Sequence, residues 1–256
     1  MNPGPDVRRR LHLEMLVVLG ISLGQSAVYA LLSLINKLTQ EVALNRQTTS
    51  INASKTPDRP WLDLAYQVAN LMFPLVPVAL VLYLLWVYQR PHGGPLRSMG
   101  FDLRRPGFDL GVGSAVFVGI GIGGLVLYYV SRELGYNTSV SPANLTAAWW
   151  TVPMLLLLAV KNAVLEEVVM VGYLFTRWRQ SGGGILAVLA GSALIRGAYH
   201  LYQGFGGFVG NVVMGLLFGW LYLRTRRVMP LVVVHSLLDI FAFVGYALLK
   251  PHIPWL

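Results

Sequence analysis

The sequence predicts an all-α, polytopic transmembrane helical bundle of about seven spans. Three observations carry this. The chain of 256 residues is 55% hydrophobic and only 12% charged. Its apolar residues fall in repeated runs of about 20, the length a helix needs to cross the hydrocarbon core. Its basic residues, which give a net charge of +9, sit in short segments between those runs, as expected of loops that face anionic lipid. The charge therefore points to the bilayer and not to nucleic acid. With no cysteine, disulfides, thiolate metal sites, iron–sulfur clusters and a cysteine nucleophile are excluded.

Arg8, Arg9 and Arg10 precede a first span over Leu13 to Ile35, too long for a signal peptide. A polar loop, 36–60, leads to a second span from Leu64 to Tyr88, with kinks expected at Pro74 and Pro77. The third span, Phe108 to Ser131, is rich in glycine, and Gly119 and Gly123 form a GxxxG pair that admits a close helix. After a second polar loop, 132–148, the fourth span runs from Trp149 to Thr176. Trp61, Trp149 and Trp150 read as interfacial anchors. The Gly182-Gly183-Gly184 turn leads to a fifth span, Ile185 to Tyr202. The sixth, Gly206 to Leu223, carries the pairs Gly206/Gly210 and Gly215/Gly219, and the seventh is Met229 to Leu249.

These spans form a single integral domain. Residues 1–108 hold helices one and two with their loops, and 109–256 hold helices three to seven. Seven spans put the termini on opposite sides. With the N-terminus inside, the inner segments carry Arg8, Arg9, Arg10, Arg90, Arg97, Arg104, Arg105, Arg177, Arg179, Arg224, Arg226 and Arg227. The outer ones carry Lys37, Arg46, Lys55, Arg59, Arg132 and Lys250. This excess predicts a multi-pass protein with a cytoplasmic N-terminus, and a prokaryotic cell membrane is the expected location.

Polar residues inside the spans are few: Lys161, Asn162, Glu166 and Glu167 in the fourth, Arg196 and His200 in the fifth, His235 and Asp239 in the seventh. A single charge at the bilayer centre costs about 3 kcal/mol on insertion scales, so two adjacent acids need polar partners from other helices. Spacing sorts the set. Asn162 and Glu166, Arg196 and His200, and His235 and Asp239 are each four apart and share a helix face. Three polar stripes directed at one cavity are the economical arrangement. At about 1.5 Å per residue, Glu166 lies roughly 16 Å from Arg177 and Asp239 roughly 18 Å from Arg227. His200 lies roughly 24 Å from Gly184 and matches less well unless the fifth helix tilts or starts late.

A carboxylate in a low-dielectric pocket is a stronger base than in water. Near imidazoles it can take a proton from a water molecule and direct that water at a peptide carbonyl. His235, helped by Asp239 or another donor, suits the oxyanion that forms. Ser192 and Ser236 have no evident base and orienting relay. No cofactor is expected. The alternative is zinc held by Glu166, His200 and His235 with water as fourth ligand, although no HExxH helix is present.

The acid pair Glu166-Glu167 with Gly172, then His200, then His235-xxx-Asp239 resemble the three motifs of the CPBP family: EExxxRG, FxxxH and HxxxN or HxxxD. These are CaaX-processing and bacteriocin-processing membrane proteases, also called glutamic intramembrane proteases. The likeness covers about 149–249, and Met99 to Pro106 is similar to the short basic loop common upstream. It implies that Glu166 activates the water, that Glu167 and His200 support it, and that His235 and Asp239 form the oxyanion site. Two positions depart. The family arginine falls at Val171, and the family phenylalanine falls at Arg196. Arg196 is therefore expected to reach Glu167 as a replacement ion-pair partner. The implied activity is hydrolysis of a peptide bond in a protein or peptide substrate in or at the membrane. A catalytically silent scaffold or chaperone, and a proton-coupled transporter using the buried acids as a relay, are the alternatives.

Overall fold

The computed structural model describes residues 3–89 and 93–249; Arg90 and Lys250, used in the charge comparison, lie outside them. Helix α1, Pro5–Gly20, and α2, Leu23–Leu38, cover the first apolar stretch but meet at 51°. Ser22 leaves helical geometry at the break, and its Oγ donates to the Val18 carbonyl at 2.5 Å, a local bond that competes with the helix ladder. Helices α3, Pro60–Met72, and α4, Val76–Gln89, are joined by a 3₁₀ turn at Phe73–Leu75. Pro74 and Pro77 lack the N–H that an uninterrupted helix would use there.

A short α5, Gly94–Ser98, precedes the long α6, Pro106–Glu133. Helix α7, Thr151–Glu166, passes through a π-helical turn, Glu167–Tyr173, into α8, Leu174–Gln180. Then follow α9, Ile185–Ala198, α10, Phe205–Thr225, and α11, Met229–Ile240. A second π-helical turn, Phe241–Gly245, leads to α12, Tyr246–Leu249. Pro5, Pro60, Pro95, Pro106 and Pro230 sit in the first turns of α1, α3, α5, α6 and α11, where a missing N–H loses no helix bond.

All seven apolar stretches are helical, but the count of seven spans is not reached. Four helical stretches are long and apolar enough to cross a membrane: Pro60–Val87, Pro106–Glu133, Phe205–Thr225 and Met229–Leu249. The bent α1–α2 pair makes a fifth. Helix α9 ends at Ala198 after 14 residues. The α7–α8 helix is interrupted by Lys161, Glu166 and Glu167. Its π-helical turn is buried at every residue from Glu167 to Tyr173, so protein rather than lipid surrounds it and an apolar run is not required. Helices α4, α9 and α10 pack on that turn. The core around it includes Val81, Leu85, Met99, Phe218, Leu231 and Val234.

The glycines divide by what approaches them. A Cβ added at Gly119 or Gly123 would meet nothing within 4 Å among the described residues, which corrects the expectation that this GxxxG pair receives a helix. Gly113 on the same helix meets Val233 instead. On α10, Gly206 and Gly210 face Ser131 and Leu127 of α6, and Gly215 and Gly219 face Ala193 and Leu189 of α9. Of the expected interfacial anchors, Trp61 and Trp149 are exposed, whereas Trp150 is buried with Met154 and Leu158.

Both polar loops contain a strand that no alternation announces. Strand β1, Thr48–Ala53, pairs in parallel with β2, Ser139–Asn144, from Thr48 opposite Ser139 to Ala53 opposite Asn144. This sheet holds the turn after α9. The Thr138 amide and hydroxyl both donate to the Gln203 carbonyl at 3.0 and 3.1 Å, and the Thr49 and Thr138 hydroxyls lie 2.7 Å apart. Lys37 donates to Thr49 Oγ1 and, at 2.6 Å, to the Tyr202 carbonyl.

The opposite, basic end is clamped by Arg227. Its Nε and Nη2 both bond Asp109 at 2.7 Å, and Nη2 also reaches Asp102 Oδ1 at 2.9 Å. The hydrogen bond from Arg104, then Arg227, hold the Asp102 carboxyl far below the usual range, while Asp109 and Asp102 push the Arg227 guanidinium further up. The segment before α6 is thereby docked on the α10–α11 turn, and the Val228 amide bonds the Met99 carbonyl at 2.9 Å. Gly100 makes this possible: its φ is +64°, and a Cβ there would stand 2.6 Å from the Arg227 Cα. Gly100→Ala is expected to destabilise the protein by about 1–3 kcal/mol, read as a lower melting temperature in detergent.

Candidate active site

The polar residues of α7, α9 and α11 meet. Glu167 is fully buried, and its Oε1 accepts from Arg196 Nη2 at 2.5 Å and lies 2.7 Å from His235 Nδ1. Glu166 is slightly more open. Its Oε2 accepts the Tyr199 hydroxyl at 2.7 Å and lies 3.6 Å from Arg196 Nη1. His235 Nε2 is 3.9 Å from Asp239 Oδ1, and Asp239 Oδ2 accepts from Asn162 Nδ2 at 3.0 Å. Lys161 Nζ donates to Asn162 Oδ1 at 2.6 Å. A continuous polar chain thus runs from Lys161 to Arg196.

The π-helical turn explains how two neighbours in sequence approach one guanidinium. Adjacent residues of an α-helix point about 100° apart. The i→i+5 bonding that begins at Glu167 widens the helix, and both carboxylates engage Arg196. The carbonyls of this turn find other donors: Met170 accepts Ser192 Oγ at 3.0 Å, and Gly172 accepts Thr176 Oγ1 at 2.6 Å. Ser192 is thereby committed to the backbone and is not a nucleophile. Gly172 lies against the docked segment at the basic end, since a Cβ there would stand 2.9 Å from Met99 Sδ.

Arg196 reaches Glu167, the contact expected of it from sequence. Its guanidinium is buried, lies between the two acids and packs on the Phe218 ring at 5.1 Å. His200 is not on α9 but in the turn beyond it, and α9 starts at Ile185 with no late start. The long side chains of Arg196 and Tyr199 reach the acids, and His200 follows in a turn fixed by the sheet. Its Nδ1 lies 3.3 Å from Gln203 Nε2. Three buried atoms of the site have no hydrogen-bond partner among the described residues: Glu167 Oε2, Arg196 Nη1 and His200 Nε2. Buried polar groups are nearly always satisfied, so three together mark a place for water or a ligand.

The zinc set expected from sequence is not the one brought together. Glu166, Glu167 and His235 each place a donor atom within 4.8 Å of the others, and His200 is not among them. The Arg196 guanidinium occupies the same ground, bonded to the oxygen of Glu167 that faces His235. A divalent ion would have to displace it and sit beside its charge, so the donor set fits a metal poorly.

Sequence reasoning named Glu166, Glu167, Arg196, His200, His235 and Asp239; the structure gathers five of them into one connected cluster, with His200 at its edge against Tyr199. It missed Tyr199, whose only sequence signal is its place beside His200, and Phe218, whose apolar character hides its contact with Arg196.

Residues 148–241, from just before α7 to the end of α11, match the family model described as type II CAAX prenyl endopeptidase Rce1-like. No curated protein and no solved structure matches the chain. Several long apolar helices and this match make it an integral membrane protein that, over this segment, is similar to the CPBP-type CaaX membrane proteases.

Proposed function

We propose that the chain is an intramembrane endopeptidase that hydrolyses a peptide bond of a membrane-associated protein or peptide with a glutamate-activated water. The observation that carries this reading is the division of labour between the acids. Glu167 is fully buried and already binds Arg196 and His235. Glu166 keeps partial access, and only its Oε2 is engaged. Glu166 is then the base and Glu167 its organiser, with His200 Nε2 available to hold the water.

The water oxygen bonds to the carbonyl carbon while its proton passes to Glu166, and the carbonyl electron pair moves onto oxygen. Collapse returns that pair, breaks the C–N bond and delivers the proton from Glu166 to the departing amine. His235 contacts Glu167 through Nδ1 and turns Nε2 toward Asp239, where the oxyanion is held. Arg196 supplies the positive charge without which Glu167 would be an unpaired buried carboxylate. The silent-scaffold reading rests on the absence of arginine at position 171, and Arg196 beside Glu167 weakens it. The substrate class follows the family name: CaaX-type tails, prenylated or plain, presented at a membrane with the N-terminus of the enzyme in the cytoplasm.

The test is a screen of internally quenched peptides, prenylated and unprenylated, with purified wild type against Glu166→Gln. No cofactor is proposed. Cleavage is expected to survive chelators, and elemental analysis of active protein is expected to find zinc far below one ion per chain. Loss of activity on chelation with recovery on adding zinc would overturn the metal-free reading.

A further inference from the structure

Within the peptidase reading, the oxyanion needs N–H donors, and an ionised Asp239 can only accept. The donor nearest to Asp239 is Asn162, whose Nδ2 lies 3.0 Å from Asp239 Oδ2. The orientation of this amide is fixed by chemistry. Lys161 Nζ, 2.6 Å away, can only donate, so the oxygen of Asn162 faces it and the nitrogen faces Asp239. One N–H of that nitrogen is used by Asp239, and the second has no acceptor among the described residues. Asn162 is also one turn from Glu166 on the same face of α7. Its nitrogen and His235 Nε2 approach the two oxygens of one carboxylate from two helices, at 3.0 and 3.9 Å.

We propose that Asn162 is a catalytic residue whose second N–H binds the carbonyl oxygen of the scissile bond alongside His235. Asp239 is then a positioning residue that aims the amide, and Lys161 locks its flip and offsets the charge of Asp239. The motif aspartate on α11 thus works through an amide supplied by α7.

The test uses the full-length protein in detergent, the quenched peptide that wild type cleaves fastest in the screen, and a phosphinate isostere of that peptide as a stable tetrahedral mimic. Asn162→Ala is expected to lower kcat by about 10²-fold or more with KM within threefold. Affinity for the phosphinate falls by the same factor as kcat/KM, and the melting temperature stays near wild type. A kcat within threefold of wild type overturns the proposal. So does a fall in kcat that the phosphinate does not follow, which would give Asn162 a structural role only. If the alanine variant does not fold, Asn162→Ser, polar but too short to reach, is read the same way. A wild type that cleaves no peptide in the screen, and binds no phosphinate, removes the peptidase reading itself, a failure distinct from an Asn162 variant with unchanged kcat.

Discussion

Glu166→Gln is expected to reduce peptide cleavage by about 10³-fold or more, within the range that general-base catalysis supplies, while the protein keeps its fold. Glutamine matches the shape of glutamate, and its carbonyl oxygen can still accept the Tyr199 hydroxyl that Glu166 Oε2 accepts at 2.7 Å. Arg196 keeps its shorter contact with Glu167 at 2.5 Å. What is lost is the basic oxygen that takes the proton from water. Cleavage and melting temperature, measured on the same preparation, separate the two effects. Undiminished cleavage would reassign the base. Lost cleavage with an undisturbed cellular phenotype would favour the scaffold, and lost pH-driven flux would favour the transporter.

Arg196→Phe is expected to abolish activity and to destabilise the protein by about 3–5 kcal/mol, the cost of leaving a buried charge unpaired. The substitution removes the guanidinium from Glu167 and leaves it His235 alone, with no solvent to turn to. Adding Val171→Arg should return part of both losses. Position 171 is four residues after Glu167 on the same widened turn, so a guanidinium there can face the carboxylate. The recovery is partial because Val171 is 2% exposed and a larger side chain strains a filled core by about 1–3 kcal/mol. Melting temperature and cleavage rate of the double variant against the single one give the answer. A double variant no better than Arg196→Phe would show that the cation cannot be moved between helices.

Tyr199 and Asn162 show where sequence reading stops. Both bond to residues that the polar pattern had singled out, Glu166 and Asp239. Asn162 was visible as a polar residue at helical spacing from Glu166, yet nothing in the spacing says that its partner is Asp239, on another helix. The strands β1 and β2 were invisible for a related reason: neither alternates, and each exists because the other lies beside it. The GxxxG pair at Gly119 and Gly123 misled because small residues permit a close helix without summoning one.

The sequence by itself determined the helical, membrane-embedded class, the positions of the apolar stretches and the identity of eight polar residues that could not be stranded in hydrocarbon. These follow from local quantities: run length, residue spacing and the cost of burying charge. Only the tertiary structure decided that Arg196 lies between two adjacent acids, that a π-helical turn lets both reach it, and that His200 stands in a turn held by a small sheet. Those are consequences of which helices touch, and contacts between distant segments are set by the packing of the whole chain.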